Sequence, residues 1–88
     1  MGPFISVEEV MSAVAKLRDE LNASGEPEAS DELAAALQAF YTTTTEALGE
    51  LHDALKKTEA VWSRSLSDGC RALGQHTLKE ALRLMNLR

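Results

Sequence analysis

The sequence predicts an all-α fold: an antiparallel helical bundle of three helices with a long central helix, completed by dimerisation. Alanine and leucine dominate the apolar residues, valine and isoleucine are few, and no stretch alternates with period two, which excludes most β architectures. Proline occurs only at Pro3 and Pro27, so no helix breaker of that kind interrupts residues 28–88. Apolar residues recur three or four positions apart in three successive runs, the spacing of amphipathic helices. With 44% apolar and 26% charged residues the chain is globular in composition, and 88 residues suffice for one domain, 1–88, with a modest core.

Helix 1 is expected at about residues 7–23. Ser6 and Glu9 have the form of a capping box, and Ile5 with Val10 that of a hydrophobic staple. Glu8 and Glu9 suit the positive end of the helix dipole. Val7, Val10, Val14, Leu17 and Leu21 then form the apolar stripe. Gly25 suits the left-handed position that follows a helix end. The short polar connection around Pro27 makes helices 1 and 2 antiparallel neighbours.

Helix 2 is expected at about residues 28–62. Leu33, Leu37, Phe40, Tyr41, Thr44, Leu48, Leu51, Leu55, Thr58 and Trp62 keep one stripe through it. Two features weaken it, the β-branched run Thr42–Thr45 and Gly49, and Thr43 with Glu46 has the form of a second capping box, so the competing reading is a break into two shorter helices. Read as continuous, the helix is roughly 50 Å long. A compact chain of this length has a radius of gyration of about 12 Å. The mismatch predicts an elongated bundle. Helix 3, at about residues 68–86, opens at Ser67 or Asp68 and carries Cys70, Leu73, Thr77, Leu78, Ala81, Leu82 and Met85 on its apolar face. Helices 1 and 3 would each cover one end of helix 2. The middle would be left to a second copy, so the expected interface is Phe40, Tyr41, Thr44, Leu48, Leu51, Leu55 and Trp62, in a homodimer.

The net charge of −5 argues against nucleic acid as a partner. Charge is uneven along the chain: residues 1–61 carry twelve acidic and four basic residues, residues 62–88 two acidic and five basic. The basic segment is expected to fold back on the acidic one or to complement its own helix dipole; alternatively it meets an acidic partner or surface. A single cysteine, Cys70, forms no internal disulfide and leans the reading towards a cytoplasmic protein. No apolar run reaches membrane-spanning length.

Catalytic motifs are not apparent. Neither histidine has a second metal ligand one helical turn away, no Glu-x-x-His pattern occurs, and no glycine-rich phosphate loop exists. No enzyme activity, cofactor or metal is expected. Gln75-His76-Thr77-Leu78-Lys79 resembles the local His-x-Leu-Lys signature of histidine phosphotransfer domains, which are helical bundles. The resemblance implies His76 as phosphoacceptor and Lys79, one turn on, as the charge that steadies the phosphate. Glu80 stands where that family usually has a small glycine. The reading that fits more of the chain is a non-enzymatic module that self-associates and binds protein.

Overall fold

The computed structural model describes residues 2–86. Among the described residues the chain is all-α, with no strand, and it forms four helices: α1 (Val7–Ala23), α2 (Pro27–Gln38), α3 (Thr44–Ser65) and α4 (Asp68–Met85). The expected continuous helix over 28–62 is corrected: it ends at Gln38 and restarts at Thr44. The bundle therefore has four helices rather than three.

The break has a local cause. Thr43 takes an extended backbone, and its hydroxyl accepts the Glu46 N–H at 3.0 Å, capping α3. The Glu46 carboxylate reaches back to the Thr42 N–H at 3.4 Å. At the other end, Tyr41 folds its phenol over α2 and donates to the Ala36 carbonyl at 2.6 Å, satisfying one of the acceptors that a helix end leaves open. Two half-caps thus replace the hydrogen bonds that a continuous helix would have made. The gain is burial: with the chain turned, Leu33 in α2 and Leu48, Leu51 and Leu55 in α3 all become buried. Each large apolar side chain so covered stabilises the fold by about 1.5–3 kcal/mol.

The turn after α1 is of a different kind. Gly25 takes φ 77°, the Glu26 N–H donates to the Leu21 carbonyl at 2.9 Å and the Gly25 N–H to Asn22 at 3.2 Å, a Schellman ending that needs the left-handed residue. Pro27 then opens α2 at its first turn. Ser30, buried on α2, donates from its hydroxyl to the Arg18 carbonyl at 3.0 Å and pins α2 to α1. Ser6 stands at the N-cap of α1, but its hydroxyl makes no cap bond.

Helix α1 packs against all three others, α3 lies between α2 and α4, and α2 and α4 do not touch. One continuous core runs from Val10, Val14, Leu17 and Leu21 through the leucines of α3 to Trp62, Leu78 and Ala81. The Cα radius of gyration is 11.9 Å and the longest dimension 37 Å. Helix α3, at about 33 Å, fits within that length. The overlong helix that called for a second chain is therefore absent. Leu48, Leu51, Leu55 and Trp62, expected at a dimer interface, are interior residues of the single chain. Leu82, expected on the apolar face, is 45% exposed, and Leu84 is buried in its stead.

Helix α3 retains one weak position. A Cβ built on Gly49 would meet only the Met85 Sδ, at 3.8 Å, an ordinary contact. Gly49→Ala should therefore stabilise the fold by about 1 kcal/mol, the helix-propensity difference, read as a higher urea midpoint. A loss of stability would mean that α3 is not regular helix there.

Candidate functional site: the groove between α2 and α3

Two of the places that gather exposed or charged side chains bear on the candidate site. The larger is a groove of about 510 Å³ between α2 and α3. Its floor is alanine: Ala35, Ala36 and Ala39 from α2 and its end, and Ala54 from α3. Small residues are what let two helices run side by side and still leave a trough. At the mouth stands Phe40, carried on the 39–43 connection with its side chain fully exposed. The rim is acidic. Glu46, Glu50 and Asp53 step along one face of α3 at four- and three-residue intervals, and Glu32 faces them from α2. Lys57 lies 3.4 Å from Glu32 and offsets one of these four charges. Loss of water contact, then Glu50 and Glu46, push the Tyr41 phenol above its usual value, so it stays neutral and keeps its bond to Ala36.

The second place is the N-terminal arm, residues 2–6, laid on α4. Glu80, only 5% exposed, accepts the Phe4 N–H at 2.6 Å and is gripped by the Arg83 guanidinium at 2.9–3.2 Å. Arg83 also donates to the Phe4 carbonyl. The Phe4 ring meets His76 edge-on, with centroids 5.1 Å apart and planes at 89°. The His76 Nε2 lies 2.8 Å from the Gly2 carbonyl, which can only accept, so Nε2 carries the proton. The arm thus engages one ring nitrogen of His76, the residue that the histidine phosphotransfer resemblance implies as phosphoacceptor. Lys79, one turn on, is exposed.

The Arg83 guanidinium, and behind it the Phe4 N–H, hold the Glu80 carboxyl below the usual carboxylate range. A lowered folded-state value means that the contribution is present above the unfolded-state value, about 4.3, and is lost as pH falls through the folded one. The Glu80 contribution to holding the arm is thus full at neutral pH and weakens in acid. The Phe4 amide proton should titrate with a midpoint below about 4.3 by NMR, and Glu80→Gln should abolish that step. A Phe4 amide that shows no acidic step in the wild type would refute the latch.

The sites expected from sequence are dispersed. Of the expected interface, only Phe40, Tyr41 and Thr44 lie at the break, Phe40 exposed and the other two half-buried. The positive charge of residues 62–86 is largely engaged within the chain: Arg64 with Glu26 at 3.3 Å, Arg71 with Asp68, and Arg83 with Glu80. Arg88 lies outside the described residues. Cys70 is buried. Among the described residues no three His, Cys, Asp or Glu side chains converge as a metal set, and no helix is long and apolar enough to cross a membrane. The alanine floor and the Glu80 latch were not singled out by sequence. The first has a signal, Ala35 and Ala36 four and three residues before Ala39, the spacing of one helix face; the second joins residues 76 apart and has none. No family model, curated protein or solved structure matches this chain.

Proposed function

We propose that the protein is a non-enzymatic interaction module that docks a partner chain on its α2–α3 face, with Phe40 as the anchor. The observation that carries this reading is a phenyl ring held wholly in water by a break capped on both sides. Aromatic anchors of this kind supply much of the binding energy at protein interfaces. The surrounding alanines offer a flat apolar bed, and the charged rim gives orientation. The same ring contributes nothing to the core, so the fold does not require it.

Self-association is the other partnership the sequence suggests. Its support was a central helix too long for one chain, and the buried leucines of α3 now have their partners within the chain. A net charge of −5 further opposes pairing of like copies.

Baits carrying the wild-type chain, Phe40→Ala and, as a surface control, Leu82→Ala test the reading. Wild type and Leu82→Ala should retain a protein that Phe40→Ala does not. That protein, purified, should bind Phe40→Ala about tenfold or more weakly, the effect of losing roughly 1.4 kcal/mol or more at an anchor. Equal retention and equal affinity for all three would refute the docking face. Sedimentation at high micromolar concentration separates out self-association, for which a dimer is the expected mass.

A further inference from the structure

The proposed docking face also specifies what it takes. Resting on that reading, we infer that the α2–α3 groove receives a cationic amphipathic helix of a partner protein, its apolar side on Phe40 and the alanine floor and its basic residues towards Glu50, Asp53 and Glu32.

The shape argues for a helix. Ala35 and Ala36 on α2 and Glu46, Glu50, Asp53 and Ala54 on α3 line the two sides, so the trough is bounded by two helix surfaces. From Glu46 to Lys57 it runs about 16 Å, three turns, long enough for anchors at i, i+3 or i+4 and i+7 of a bound helix. Alanines on both walls allow the close approach that helix packing needs. The backbone groups of α2 and α3 are already paired in their own helices, so an extended strand would find no edge to add to.

The charge argues for a basic occupant. Four carboxylates and one lysine give the rim a net charge of −3. A phosphate-bearing ligand, whether nucleic acid or lipid surface, would be repelled. Apart from the rim charges, a small molecule would find no free hydroxyl to orient it, since the Tyr41 hydroxyl is already spent on Ala36. A second copy of this chain is a poor occupant, because the guanidinium groups of α4 are paired within their own helix.

Glu46 caps α3 and is left unchanged in the test. Two synthetic peptides of about 18 residues, long enough for marginal helicity, share leucines at i, i+3, i+4 and i+7 and carry either lysine or glutamate elsewhere. Each is titrated into the isotope-labelled full chain and followed by amide NMR. The lysine peptide should shift amides of residues 35–57, and its affinity should fall about tenfold when ionic strength rises from low salt to about 300 mM. Glu50→Lys with Asp53→Lys should weaken it about tenfold or more. Asp19→Lys with Glu20→Lys, the same charge change on α1, should not. Equal weakening by both double variants would mean nonspecific attraction to an acidic protein and would overturn the inference. If the glutamate peptide alone occupies the groove, the basic partner is refuted and the docking face stands. If neither peptide moves residues 35–57, both are refuted.

Discussion

Replacing Trp62 with alanine is expected to remove about 3–5 kcal/mol of stability. The indole is fully buried near the end of α3, and its Nε1–H donates to the Leu55 carbonyl at 3.1 Å, two turns earlier on the same helix. That carbonyl also accepts the buried Thr58 hydroxyl at 3.2 Å. The ring fills the crossing of α3 over α4, where no other side chain of its size is present. Truncation leaves a cavity that the rigid helices on either side cannot close. A chain of 88 residues has a total stability of about 4–13 kcal/mol, so the loss is a large fraction of the whole. Urea denaturation followed by circular dichroism measures this directly. A loss below about 1.5 kcal/mol would show that the indole is not an interior group.

Gly74→Ala is the second large effect, and its sign runs against helix propensity. In the interior of a helix the change should gain about 1 kcal/mol. Here the added Cβ would lie 2.7 Å from Cζ3, 2.8 Å from Cη2 and 3.0 Å from Cε3 of Trp62. These are ring atoms of a fully buried side chain, so they cannot step aside as a flexible tip would. Either the ring leaves its place or α4 moves off α3. Overpacking of this kind costs about 1–3 kcal/mol, so the propensity gain is cancelled and the net result is a loss of up to about 2 kcal/mol. The contact can be isolated. In a Trp62→Ala background the clash is gone, and Gly74→Ala should become neutral or stabilising. A coupling of about 1 kcal/mol or more in that double-mutant cycle identifies the Gly74–Trp62 approach. Strict additivity would mean that the two residues do not meet.

These positions also mark what can be read from the sequence. The helical class follows from composition and spacing. The end of α1 follows from Gly25, because only glycine takes that backbone without strain. The break at 39–43 was written in Thr43 and Glu46. It was overridden by an apolar stripe that continues in phase on both sides, and by the absence of glycine or proline. Periodicity reports which face of each helix is buried; it does not report whether two helices in the same phase are joined. Gly74 was illegible because its role depends on which helix crosses it. Trp62 looked like an interface anchor for the same reason: a large aromatic side chain reads alike whether it fills its own core or another chain's. Phe40 is the reverse case. Its exposure follows from the break, and reading the chain as one helix gave the ring a place in an interface stripe rather than at the tip of a turn.

The way α2 is anchored has a consequence for motion. Its buried residues, Ala29, Ser30 and Leu33, all lie within its first seven residues; residues 34–38 are half-buried or exposed. Free energies of local opening follow such anchoring, so amide exchange should quicken along α2 from Ser30 towards Gln38, well before α1 or α3 opens. The wall of the groove is thus its least protected segment. A helix seated there would add to the partial packing of Ala36 and Leu37, and occupancy would be visible as slowed exchange at residues 34–38 before any other part of the bundle responds.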